Sequence, residues 1–185
     1  MGFVRYFDLL IVLFFGLIWA GVATFLRLKK KKSFVYLVFF TIFYIYLVKV
    51  LDYTLFQFQS LLLLKHFVPH LILNGLAAQK SINLIPFITL TPEDLKTSLL
   101  NILLFIPFGF GLPFITNFHA KKIVGIGVFF SIVIELLQLT TGLMAKITFR
   151  VADINDVVFN TLGVIIGYIL FAGFVRIYRH IIKSP

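Results

Sequence analysis

The chain has 185 residues, 61% of them hydrophobic and only 13% charged, and its mean hydropathy is +1.06. Soluble domains carry far more charge, so a disordered chain, a nucleic-acid-binding domain and an ordinary soluble enzyme are excluded. The net charge of +10 therefore speaks to membrane topology before any nucleic-acid partner, and the absence of cysteine excludes disulfides, thiolate metal sites and cysteine nucleophiles.

The first apolar run, Leu9 to Leu26, holds no charge. Gly21-Val22-Ala23 is a weak match to a signal-peptide cleavage site, but the run continues past it into Arg27 and Lys29 to Lys32. Arg5 is offset by Asp8, so a positive leader region is nearly missing. The reading is a retained helix over about 6–28. The second run, Ser33 to Val48, is bounded by Lys32 and Lys49 and predicts a helix over about 33–50.

From Leu51 to Leu90 the chain stays apolar, with Leu61 to Leu64 in a row. Lys65, His66, Pro69, His70 and Lys80 interrupt it. It reads as an interfacial or re-entrant segment, with a sixth span as the alternative. His66 and His70 have the spacing of a helical metal pair, but Pro69 lies between them and no third ligand is near.

Thr91-Pro92-Glu93-Asp94 reads as N-cap, N1 proline and acidic first turn. A third helix follows over about 92–117, with no Lys, Arg, Asp or Glu from Thr97 to Ala120. Pro107, Gly109, Gly111 and Pro113 predict a kink or break near Pro107. The fourth helix is expected over about 122–143, its apolar run Ile123 to Leu143 containing one charge, Glu135; the fifth is expected over about 153–176, its run Ile154 to Val175 containing Asp156 and followed by Arg176 and Arg179. The expected fold is an all-α integral membrane protein. It is a bundle of about five transmembrane helices plus the interfacial or re-entrant segment, in one domain over 1–185. The many phenylalanines and tyrosines read as lipid-facing and interfacial bulk, and Trp19 has no evident role.

Lys and Arg set the orientation. With five spans, ten of them fall in short segments on one side: Arg27 and Lys29 to Lys32, Lys121 and Lys122, and Arg176, Arg179 and Lys183. The other side holds seven, spread over far more chain: Arg5, Lys49, Lys65, Lys80, Lys96, Lys146 and Arg150. The N-terminus is expected outside and the C-terminus in the cytoplasm. The lysine run is most simply a topology determinant, with anionic lipid recognition as the sharper alternative.

Polar residues inside spans are the informative ones, because a carboxylate at a helix centre costs about 2.5–3.5 kcal/mol on insertion scales. Ser131, Glu135 and Gln138 are four and three apart and share one stripe of the fourth helix. Asp153, Asp156 and Asn160 are three and four apart and share one stripe of the fifth, continued by Gly163 and Gly167 as GxxxG. At 1.5 Å per residue, Glu135 sits about 18 Å from the inner end of its helix. Asn101 falls in the outer half of the third helix. Three helices therefore carry their polar groups at one level, expected on the extracytoplasmic side.

The last two-thirds of the chain resembles the VanZ-like membrane protein family. The resemblance rests on Asn83-Leu84-Ile85-Pro86-Phe87, on Asn101-Ile102-Leu103-Leu104-Phe105-Ile106-Pro107-Phe108-Gly109, and on the Ser131, Glu135 and Gln138 segment. It continues with Arg150-Val151-Ala152-Asp153-Ile154-Asn155-Asp156 followed by Asn160, Gly163 and Gly167. In order and spacing these give NLIPF, NxLLFxPxG, SxxxExxQ and RxxDxxDxxxNxxGxxxG, all within 81–170. Residues 1–80 match only as apolar segments. The family is named for a protein associated with teicoplanin resistance. The resemblance implies a bacterial multi-pass protein of the cell envelope and supplies no reaction.

Two readings of the polar cluster stand side by side. In the structural one, Arg150 pairs with Asp153 or Asp156 at the start of the fifth helix, and Glu135 is neutral or hydrogen-bonds Asn160 or Gln138. In the functional one, Glu135, Asp153 and Asp156 hold a divalent cation that engages a phosphate, or one carboxylate serves as general acid or base beside another. Asn101, Ser131, Gln138, Arg150 and Asn160 then line the ligand, Arg150 suiting a phosphate or carboxylate. The expected partners are the lipid bilayer and a cell-wall lipid intermediate or glycopeptide-related ligand. Enzyme, transporter or flippase, and binding or scaffold protein all stay open.

Overall fold

The computed structural model describes residues 2–56, 82–83, 85–87, 92–145 and 152–183. The stretch 57–81, with His66, His70 and the sixth-span alternative, lies outside the described residues, as do Thr91, Lys146 and Arg150. The described chain is helical apart from two short strands: α1 (Gly2–Leu28), α2 (Phe34–Leu51), a π-helical turn (Asp52–Phe56), β1 (Ile82–Asn83), α3 (Pro92–Ile115), α4 (Ala120–Ala145), β2 (Ala152–Asp153) and α5 (Ile154–Lys183). Five helices are long and apolar enough to cross a membrane. The chain is a multi-pass, all-α membrane protein. It divides into two compact units, Met1–Val48 and Lys49–Pro185, each described by itself.

The first unit is an antiparallel helical hairpin. Trp19 Nε1 donates to Thr41 Oγ1 at 3.1 Å, and Tyr44 Oη donates to the Phe15 carbonyl at 2.7 Å. The pairs 19–41 and 15–44 run in opposite senses, which fixes the antiparallel register. Trp19, without a role in the sequence, is thus a cross-helix donor in a setting where apolar burial alone gives little association. The turn is built by the basic run. Phe25 O accepts from the N–H groups of Lys29 and Lys30, which closes α1. Lys31 takes φ 51°, a left-handed conformation unusual for a side chain with a Cβ. Ser33 then caps α2, its Oγ accepting from Tyr36 N at 3.2 Å. Lys32 Nζ lies 4.5 Å from the Tyr36 ring centroid.

The second unit is organised by glycine. A Cβ on Gly163 would strike the Ile102 carbonyl, one on Gly167 the Ile106 carbonyl, and one on Gly109 the Val164 carbonyl. The numbers advance together, 102 with 163 and 106 with 167. So α3 and α5 run parallel with their backbones in contact, the close approach that small residues permit in lipid. α4 runs antiparallel to α5: Glu135 reaches Asp153, Ser131 reaches Asn160, and Gly127 packs on Val164. Of the kink or break expected near Pro107, the break does not occur, since α3 is one element through Pro107 and Pro113. A proline removes one N–H from the helical ladder, but Gly109 seats the next turn directly on α5.

Buried residues of α3 recur as Ser98, Asn101, Phe105, Phe108 and Leu112, at alternating steps of three and four. On α4 they include Ile123, Ser131, Ile134, Glu135 and Gln138, and on α5 Asn155, Asn160 and Val164. Each stripe is polar at one end and apolar or glycine at the other. Because α4 opposes its two parallel neighbours, all three polar ends coincide. The apolar end is closed by aromatic rings: Phe108 stacks on Phe130 at 5.4 Å, and Phe114 meets Phe171 edge-on at 5.0 Å. Phe105 and Phe108 are fully or nearly fully buried. These phenylalanines are core packing rather than lipid-facing bulk, which composition alone does not distinguish.

Candidate functional site

The polar end is assembled around the start of α5. Asp153 is its N-cap: Oδ1 accepts from Asn155 N at 2.8 Å, satisfying one of the free amides of the first turn. The same oxygen accepts from Asn83 Nδ2 at 3.1 Å. Asn83 lies opposite Asp153 in the parallel pairing of β1 with β2, which joins Ile82 to Ala152 and Asn83 to Asp153. The side-chain bond thus repeats the backbone register.

Asn83 Oδ1 in turn accepts from Ile85 N at 3.2 Å, opening a turn over Ile85–Phe87. That turn is tied down by Asn155, whose Oδ1 accepts from Phe87 N at 3.0 Å. Phe87 adopts φ 62°, a left-handed conformation that costs an aromatic residue about 1–2 kcal/mol. The Asn155 bond and an edge-to-face contact with Phe159 at 6.2 Å hold it there. Ile85, Pro86 and Phe87 are all exposed, so an apolar tip stands beside the polar end.

Glu135 is buried, and its Oε2 accepts from the backbone N–H of Asp153 at 3.1 Å. The side-chain amides of Asn160 and Gln138 donate elsewhere than to Glu135. Gln138 Nε2 donates to the Thr54 carbonyl at 3.0 Å, and Asn160 Nδ2 donates to Ser131 Oγ at 2.7 Å. Two features explain this. The antiparallel register sets Glu135 against the strand entering α5, and the π-helical turn brings the Thr54 carbonyl to Gln138. Thr54 itself is buried and its hydroxyl donates back to Val50 O at 2.8 Å.

Of the eight residues singled out in the sequence, Asn101, Ser131, Glu135, Gln138 and Asn160 are buried at this end. Asp153 and Asp156 are partly buried at the α5 start. Arg150 lies outside the described residues, and so does its pairing with Asp153 or Asp156. Asn83, Asn155, Thr54 and Ser98 complete the polar end without having been chosen. Asn83 and Asn155 stand inside quoted motifs, but their spacing lies off the 153–156–160 stripe. Thr54 sits in a stretch with no helical period to place it, and Ser98 precedes Asn101 by three on one face.

Among the described residues, no three His, Asp or Glu side chains converge as a metal-binding group. Glu135 accepts from the Asp153 backbone amide and Asp153 from the amides of Asn155 and Asn83, so both carboxylates take part in organising the chain around the α5 start. Beyond Asn160, away from the polar end, the core is Phe105, Phe108, Ile123 and Val164, and no polar path continues there among the described residues.

The fold and this site define a multi-pass helical membrane protein whose three core helices gather their polar residues at one end. The chain belongs to the VanZ/LLP1 family, whose model matches residues 6–177. The match takes in the first hairpin, which carries no motif of its own. No curated protein and no solved structure shows significant similarity to it.

Proposed function

We propose that this protein is a VanZ-like cell-envelope protein whose polar end faces the exterior and receives a lipid-linked cell-wall ligand through its charged headgroup. The observation that carries the reading is Glu135, a carboxylate held buried in an apolar bundle beside Ser131 and Gln138. Such a group costs several kcal/mol and is kept where it pairs, lines a wet cavity or works. The Lys and Arg distribution supports the orientation, with the N-terminus outside and the C-terminus cytoplasmic. Asp156 at the start of α5 and Arg150 just before it supply charge of both signs for a phosphate-bearing headgroup, and the exposed Ile85-Pro86-Phe87 tip suits its hydrocarbon neighbour.

A second reading is favoured by one observation: Glu135 and Asp153 each accept from a backbone amide, which suits a binding or scaffold protein better than an acid–base enzyme. The apolar closure below Asn160 weighs against a transporter or flippase.

The test is binding of a polyprenyl pyrophosphate to the full chain in lipid nanodiscs. Asp156→Ala and Glu135→Ala are expected to weaken it at least tenfold, and Glu135→Gln to preserve it if the site only binds. Unchanged affinity in both alanine variants overturns the reading. A link to glycopeptide resistance predicts that expression in a susceptible bacterium raises teicoplanin tolerance and that Asp156→Ala abolishes the gain.

A further inference from the structure

Two buried polar atoms of the second unit have no hydrogen-bond partner: the Asn101 Nδ2 donor and the Asn160 Oδ1 acceptor. The residues are 8% and 4% exposed. Each lies one turn toward the polar end from the contact between Phe105 and Gly163. Asn101 precedes Phe105 by four residues on α3, and Asn160 precedes Gly163 by three on the parallel α5. The register therefore sets the two positions side by side across the tightest helix pair of the bundle. No bond joins them, although one is a donor and the other an acceptor.

A guest that satisfies both must accept one hydrogen bond and donate another. A carboxylate or ionised phosphate oxygen only accepts, and an ammonium only donates; a neutral hydroxyl does both. We propose that Asn101 and Asn160 form a subsite for a single neutral hydroxyl, which accepts from Asn101 Nδ2 and donates to Asn160 Oδ1. Ser131 fixes the Asn160 amide through its 2.7 Å bond, so the Oδ1 atom is oriented in advance. Below the subsite lie Phe105 and Val164, both fully buried; toward the polar end lie Gln138 and Glu135. The subsite is the floor of the polar end. Its hydroxyl comes from an ordered water or from a sugar on the lipid-linked ligand; only the second source rests on the function proposed above.

The experiment measures thermal unfolding midpoints of the full chain and of Asn101→Leu in lipid nanodiscs. The probes are a polyprenyl pyrophosphate carrying a disaccharide and the same lipid without sugar. In parallel, nuclear Overhauser contacts of the Asn101 side-chain amide are read in the unmutated protein, which keeps the test valid if the variant fails to fold. A water source predicts a cross-peak to water and a lower midpoint for Asn101→Leu without any probe. A ligand source predicts that Asn101→Leu raises the midpoint of the free protein, since it removes an unpaired buried amide. It also predicts that the disaccharide probe raises the wild-type midpoint more than the sugar-free lipid, a difference the variant loses, with a cross-peak to the sugar. An amide without a cross-peak to water or sugar overturns the proposal, whatever the variant does to the midpoint. A water cross-peak without any binding of either lipid leaves the subsite standing and removes the lipid-linked ligand.

Discussion

Glu135 and Asp153, eighteen residues apart, meet through a carboxylate oxygen and a backbone N–H 3.1 Å apart, where the chain enters its last helix. Asp153 passes the connection on, since its own carboxylate takes the Asn155 N–H and the Asn83 side chain. A carboxyl group on α4 thereby sets the entry of α5, and that entry carries the NLIPF turn. Substitutions along this line separate packing from ligand contact.

Glu135→Gln keeps an oxygen for the Asp153 amide, while Glu135→Ala leaves that amide without its acceptor and opens a hole. The alanine variant is expected to lose about 1–3 kcal/mol of stability and the glutamine variant far less. Thermal unfolding in detergent, followed by circular dichroism, measures both. Equal losses would show that charge rather than hydrogen bonding holds the α5 entry.

Glycine is required where the helices touch and dispensable elsewhere. Gly163→Ala and Gly109→Ala drive a methyl into a carbonyl of the opposing helix and are expected to cost about 1–3 kcal/mol through forced separation of α3 and α5. Gly125→Ala and Gly173→Ala meet nothing within 4 Å and are expected to be neutral or slightly stabilising. Midpoints and yields of folded protein for the four variants test the contrast.

The hairpin of the first unit makes a separate prediction. Trp19→Phe and Thr41→Val each remove one side of the cross-helix bond. Their double-mutant cycle is expected to show a coupling of about 0.6 kcal/mol, the average for interhelical hydrogen bonds in bilayers, and no more than about 1.7 kcal/mol. Additive effects would reduce the contact to proximity.

Orientation is tested by labelling, which the cysteine-free chain makes clean. Ile85→Cys, exposed at the polar end, is expected to react with a membrane-impermeant thiol reagent added outside intact cells. Asn117→Cys, exposed in the turn between α3 and α4, is expected to react only after the membrane is opened. The reverse pattern would invert the proposed topology.

The sequence by itself determined the five apolar helices and the class of protein, because the bilayer demands about twenty apolar residues per span and permits no unpaired backbone within it. It also determined which residues share a face, since helical periodicity is local: the 131–135–138 and 153–156–160 stripes are readable without a neighbour. Only the tertiary structure decided the partners. Whether Glu135 meets Asn160, Gln138 or the Asp153 amide depends on the register between segments that no local pattern links. The Gly109, Gly163 and Gly167 contacts set that register for α3 and α5, and β1 with β2 set it for Asn83 and Asp153. Trp19, Asn155 and Thr54 gained their roles the same way: a hydrogen bond is chosen by which donor and acceptor the packed backbones bring within about 3 Å, and composition does not contain that distance.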